Sequence, residues 1–203
     1  MARGADSRTR LLDAAFESLV RNGYSRTSAR VIATIGRFSP ALIFYHYGTV
    51  DDLLVASLER SSASRLSRYE AVVDHTDSPA ALLRLLDRAY REDVESGHVR
   101  AVSELVAAAV ARPNLAEKVV PLIEPWLELV ERAARLALAD SPLANVLPPR
   151  RLALAAVTFY LGANLLTQLQ PQGGDMEELL GAVADAAPLL ELLKPPASRP
   201  SGR

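Results

Sequence analysis

The chain contains no cysteine. That excludes disulfides, thiolate metal sites and thiol nucleophiles, and with them any thiol-based sensing. Aromatic residues make up only 5%, with a single Trp, so aliphatic and Ala side chains must supply most of the packing. No segment alternates apolar and polar residues over five or more positions between turn residues, so strand signals are almost missing. A strong charge of one sign is missing as well: 23 basic residues stand against 24 acidic ones, a net charge of −1. The first eight residues hold no apolar stretch, so no signal peptide is read and the expected compartment is the cytoplasm. Residues 152–174 carry no charged side chain. Their strongly apolar part, Leu152 to Leu166, is shorter than the roughly 20 residues that a bilayer requires, so it is expected in a core or an interface rather than a membrane.

What is present has helical spacing almost throughout. The 203 residues, 49% hydrophobic and 23% charged, suit one medium or two small globular domains. Leu11, Leu12, Ala15, Phe16, Leu19 and Val20 fall on one helical face, and Asn22-Gly23 closes that helix. Thr27 is placed to cap a second short helix over 27–35, which Gly36 interrupts. Ser39-Pro40 restarts a third over about 40–46, with Ser39 as N-cap and Pro40 at the first helical position. Thr49-Val-Asp-Asp52 is a capping box opening a long helix to about residue 73. Further helices are expected at 79–96, 98–111 and 114–120, followed by a kinked one to about 140, then 150–169 and 175–193, with a disordered tail at 195–203. The chain is therefore all-α, with about nine helices.

The charge divides at the same boundary. Residues 1–50 hold seven Arg and three acidic residues, a net +4, and the remainder carries −5. The expected organisation is a basic three-helix domain over 1–50, joined by the helix at 51–73 to a helical body over 51–194. The second and third helices form a helix-turn-helix candidate, whose second helix enters the major groove in such units. Its exposed face would carry Ser39, Ala41, Leu42, Tyr45 and His46, which offer hydroxyl, imidazole and small apolar contacts to phosphates and thymine methyls. Thr27, Ser28 and Arg30 open the preceding helix, where backbone N–H groups favour phosphate. Phe44 and Tyr47 read as core. A plain helical bundle, acting as a protein-interaction or small-molecule-binding module without a DNA role, has the same spacing. An enzyme is not expected: the chain has no catalytic motif, no phosphate-cradling loop and no cofactor motif. Asp74-His75-x-Asp77 is the one hint of a metal site, at a helix end where polar clusters are common.

Residues 24–58, and above all Ser-Pro-x-x-Ile-Phe-Tyr-His-Tyr-Gly-Thr-x-Asp-Asp-Leu-Leu at 39–54, resemble the DNA-binding head of TetR-type transcriptional regulators. The resemblance covers about the first 60 residues. It implies a homodimer that binds a palindromic operator in double-stranded DNA, most often as a repressor, and that a small molecule in the body releases. Tyr45 and His46 then match the family's backbone contacts, Ser39, Ala41 and Leu42 its base- and phosphate-facing positions, and Thr27, Ser28 and Arg30 its contacts one helix earlier. Two departures stand out. Arg37 occupies a turn position where the family often has Gly, so either Arg37 adopts a positive φ or Gly36 absorbs the turn. Val50 stands where a phosphate-touching Lys is frequent, and Arg37 is the candidate replacement.

For the body, the resemblance implies a dimer built from the last two helices. Ala155, Phe159, Gly162, Ala163 and Leu166 on one, and Leu179, Leu180, Val183, Ala187 and Leu190 on the other, are the expected interface. The effector pocket is expected among Leu86, Tyr90, Leu105, Ala109, Trp126, Val130 and Tyr160, with Glu104 and Asn164 as polar anchors. Such a lining fits an apolar or amphipathic ligand.

Overall fold

The computed structural model describes residues 2–76, 88–138 and 147–169. All regular structure among them is helical. In chain order the helices are α1 (Ala2–Asn22), α2 (Ala29–Gly36), α3 (Ala41–Tyr47), α4 (Val50–Asp74), α5 (88–95), α6 (His98–Val110), α7 (Pro113–Val119), a 3₁₀ turn at Val120–Leu122, α8 (Glu124–Leu138) and α9 (Pro149–Leu169). No helix among the described residues is long and apolar enough to cross a membrane. The expected helix at 175–193 and the tail at 195–203 lie outside the described residues.

Local chemistry explains most boundaries. Gly23, at φ +75°, ends α1, and its N–H bonds the Leu19 carbonyl at 3.0 Å. The capping box forms at α4: the Asp52 N–H donates to Thr49 Oγ1 at 3.0 Å, and the Thr49 hydroxyl donates back to the Asp52 carboxylate. α2 departs from expectation, because its N-cap is Ser28, not Thr27. Ser28 has extended backbone and accepts from the Val31 N–H at 3.3 Å. Thr27 turns its hydroxyl back to the Gly23 carbonyl at 2.7 Å, with Ser18 Oγ 3.0 Å away, and so fastens the end of α1. α8 is not kinked. Pro121 lies in the 3₁₀ turn and Pro125 in the first turn of α8, where a missing N–H breaks no helical bond.

The helices fall into two compact units. The first joins Met1–Arg68 to Arg91–Pro125. Its core is Leu11, Ala14, Ala15 and Leu19 of α1, Ile32 of α2, Ile43 of α3, Leu53, Leu54 and Leu58 of α4, Ala101, Leu105 and Ala109 of α6, and Leu115 and Val119 of α7. The basic three-helix head is thus packed directly on α6 and α7. Polar contacts add to this packing. The Glu104 carboxylate accepts the Tyr24 N–H at 2.8 Å, and Tyr24 Oη donates to Asp51 at 2.8 Å. Arg112 pairs with Asp51 at 3.3 Å and lies over the Tyr24 ring, and Lys118 holds Asp52. Burial first, and then the Asp51 carboxylate, push the Tyr24 phenol up to about 12. Lys118 and Thr49 hold Asp52 below the usual carboxylate range.

The second unit contains the described residues 69–76, 88–90, 126–138 and 147–169. Tyr69 meets Trp126 with ring centroids 5.7 Å apart and donates from Oη to the Ala89 carbonyl at 3.2 Å. Tyr90 packs edge-on to Tyr160 at 6.0 Å and donates to Asn164 Oδ1 at 3.1 Å. Asn164 is 1% exposed, and its Nδ2 has no hydrogen-bond partner among the described residues.

Candidate DNA-binding interface

Helix α3 has seven residues and buries only Ile43 completely. Ala41, Phe44, Tyr45 and Gly48 are exposed. Their spacing of i, i+3, i+4, i+7 makes one continuous face on the helix. Tyr45 is 83% exposed and Phe44 is 53% exposed. Phe44, read from sequence as core, therefore lies on the outer face. Leu42, read as outward, is half-buried and packed on the core. Tyr47 is half-buried against that core, as expected. His46 is half-buried with its ring edge-on to Tyr45 at 5.0 Å. Every residue of α3 except His46 is apolar or aromatic, so helical spacing alone could not choose which face turned inward. The burial of Ile43 in the shared core settles it.

Ser39 precedes α3 and is exposed. Its Oγ accepts from the Ala41 N–H at 3.4 Å, and Pro40 already has helical dihedrals. Ser28 and Arg30 are exposed at the start of α2, and Arg37 is exposed at its end. Thr27 is half-buried, with its hydroxyl committed to the α1 terminus.

The turn resolves the choice between Gly36 and Arg37. Arg37 takes the left-handed conformation, φ 54° and ψ 51°, and is the one non-glycine residue with positive φ among those described. A side chain in that region costs about 1–2 kcal/mol. Gly36 ends α2 with helical geometry, and a Cβ there would lie 2.0 Å from the Phe38 ring. The glycine is therefore used to admit Phe38, and the positive φ falls on the next residue. Arg10 supports the turn by donating to the carbonyls of Gly36 at 2.9 Å and Arg37 at 3.3 Å. Arg30, Ala33, Thr34, Arg37, Phe38, Ser39 and Pro40 line an open groove between α2 and the start of α3.

The residues expected around a ligand are distributed over both units. Glu104, Leu105 and Ala109 belong to the first unit. Leu105 is fully buried against the head's core, Ala109 joins the same cluster, and the Glu104 carboxylate is occupied by the Tyr24 N–H. Tyr90, Trp126, Val130, Tyr160 and Asn164 all lie in the second unit. Leu86 falls outside the described residues. Of the expected dimer residues, Ala155, Phe159, Gly162 and Leu166 are exposed on α9, and Ala163 is buried. Leu179, Leu180, Val183, Ala187 and Leu190 lie outside the described residues. His75 sets Nδ1 2.6 Å from the Ala71 carbonyl, and no cluster of three metal-ligating side chains occurs among the described residues.

No family model matches the chain. Over 139 residues it is 28% identical to an uncharacterized HTH-type transcriptional regulator of Mycobacterium tuberculosis, a match covering 66% of this chain and 68% of that protein. The regulatory protein TetR from Rhodobacter sphaeroides superposes with a TM-score of 0.72 at 23% identity, over 88% of this chain and 96% of that one. FadR from Bacillus subtilis, solved in complex with stearoyl-CoA, gives 0.71 at 15% identity, over 88% and 96%. These relatives are regulators, not enzymes. The chain has the fold of the TetR-type regulators, and over 139 residues its sequence is similar to that of a helix-turn-helix transcriptional regulator.

Proposed function

We propose that this protein is a homodimeric repressor that binds a palindromic operator through α3 and releases it when an apolar or amphipathic small molecule binds the body. One observation carries the DNA reading. A seven-residue helix, fixed by Ile43 into the core of a basic head, turns Ala41, Phe44, Tyr45 and Gly48 to solvent. In a helix-turn-helix that face meets base edges, while the preceding helix crosses the phosphates. Ser39, Tyr45 and His46 supply polar groups beside it, and Ser28 and Arg30 face the backbone from α2. Phe44 joins this set as an apolar contact for a thymine methyl.

The effector reading draws support from the aromatic residues Tyr90, Trp126 and Tyr160, and from the buried Nδ2 of Asn164, a donor without a partner among the described residues. A neighbour of the same fold that holds stearoyl-CoA agrees with an amphipathic ligand.

Selection of bound sequences from random double-stranded DNA, followed by mobility shifts over a salt series, tests the reading. A two-fold symmetric site is expected, bound with an affinity that falls steeply as salt rises. Tyr45→Ala and His46→Ala should each weaken binding about tenfold while leaving the dimer intact. Recovery of no preferred sequence, or dissociation of the dimer by either substitution, would overturn it.

A further inference from the structure

The head's arginines are not equivalent. Among those with described side chains, Arg8 lies 5.9 Å over the Tyr47 ring, Arg10 holds the carbonyls of Gly36 and Arg37, Arg21 pairs with Glu17 at 2.9 Å, and Arg26 donates to the Asn22 carbonyl at 3.1 Å. Arg30 and Arg37 are different: both are exposed, both line the groove between α2 and α3, and neither forms an ion pair among the described residues. The chain also sustains a left-handed, non-glycine backbone to present Arg37 there. A glycine would adopt that conformation without cost but would contribute no charge. Strain retained at one point, beside unpaired charge in an open groove, points to a ligand.

We infer that Arg37 is a phosphate-contacting residue of the operator complex, working with Arg30 as a two-guanidinium clamp on the DNA backbone, and that the left-handed turn is kept for this contact. The inference rests on the DNA reading above. The groove faces a phosphate rather than a base edge because the base-facing stripe lies on α3, while α2 and the turn flank it, where such units meet the backbone. Guanidinium groups bind phosphate oxygens by paired, charge-assisted hydrogen bonds. The Ser39 hydroxyl on the groove wall adds a donor. Arg10 is the positioning residue: its guanidinium lies on the two carbonyls of the turn and fixes the direction in which Arg37 leaves the backbone. Val50 supplies no charge at the start of α4, so Arg37 restores cationic contact from the opposite side of α3.

Three full-length variants test the assignment on the operator recovered by selection and on random-sequence DNA. Arg37→Gln keeps the strained Cβ and removes the charge, Arg37→Gly removes both, and Arg37→Lys keeps the charge. Arg37→Gln and Arg37→Gly should weaken binding about tenfold for the two-headed dimer. The loss should be equal on operator and random DNA, because a phosphate contact carries no sequence information. The slope of log affinity against log salt should fall by about 0.9 per head, and Arg37→Lys should restore most of it. Arg37→Gly should also raise the thermal midpoint by about 2–4 °C, which separates lost contact from lost fold. An unchanged affinity and salt slope in Arg37→Gln and Arg37→Gly would overturn the inference while leaving the DNA reading intact. A loss confined to the operator would overturn the phosphate assignment. A wild-type protein that binds no DNA would overturn both.

Discussion

His98 shows how one residue records the packing of the first unit. It is buried at the start of α6, with Nδ1 3.1 Å from Ser61 Oγ and its ring stacked 6.5 Å from Phe16. Arg65, itself held by Asp93, stands nearby. Burial first, and then the Arg65 charge, lower its pKa from 6.5 to about 3. The imidazole is therefore neutral in the folded protein over the whole physiological range. The sign of the linkage follows. Between pH 6.5 and about 3 the unfolded chain takes up a proton that the folded chain refuses, so stability falls as pH falls. His98→Gln keeps a hydrogen-bonding group for Ser61 and does not titrate. Urea midpoints at pH 7, 5.5 and 4 should show wild type losing more stability than the variant as pH drops. Asp52, whose lowered pKa gives a loss in the same direction at lower pH, is present in both proteins and cancels. Parallel curves for the two proteins would show that His98 is not a buried neutral base.

At the scale of elements, α6 is the surprise. Its apolar stripe is legible, but its partners are not. Leu105 and Ala109 have the composition of a pocket wall, yet they complete the core under α1 and α4, and Glu104 turns to the chain immediately after α1. A shift of α6 would therefore reach the head directly, through the carboxylate on the Tyr24 N–H. Glu104→Ala removes that acceptor, and hydrogen bonds to charged groups contribute about 1.5–3 kcal/mol. Amide exchange at Tyr24 should then accelerate at least about tenfold, read by NMR, while exchange in α9 stays unchanged. Unaltered protection at Tyr24 would mean that the bond does not hold the turn. The rest of the element map divides along physical lines. The α1 terminus at Asn22-Gly23, the Thr49–Asp52 box and the prolines that open α7 and α9 act through neighbours in sequence, so they are readable there. Ser28 rather than Thr27 as the α2 cap, the inward Leu42 and the outward Phe44 depend on what lies across space. Thr27 satisfies the α1 terminus instead of the α2 one because Gly23 and Ser18 are within its reach. Phe38 takes the space over Gly36, which is why the left-handed turn fell on an arginine.

Under the proposed function the whole molecule would have to deliver two heads to DNA, and the described surface that bears on this is α9. Leu154, Phe159, Leu165, Leu166 and Leu169 are exposed along it, and a Cβ at Gly162 would meet nothing within 4 Å. Packing among the described residues thus gives no reason for glycine at 162, whereas a facing helix would, because small residues let two backbones approach closely. In the proposed dimer a second copy of the chain would supply such a helix under two-fold symmetry. Two half-sites one helical turn apart, about 34–36 Å, would then be bound with the effective concentration that linkage provides. Phe159→Glu with Leu166→Glu places charge on that face, where desolvation opposes association. Sedimentation should show a monomer of unchanged helix content. Affinity for the full operator should fall by about a hundredfold or more, towards that for an isolated half-site. Affinity for a single half-site should stay within about threefold of wild type, since α3 and its groove are untouched. A charged α9 that still sediments as a dimer would move the interface elsewhere on the chain. A monomer that keeps full operator affinity would mean that each head binds independently, and the two-fold arrangement would then contribute nothing to recognition.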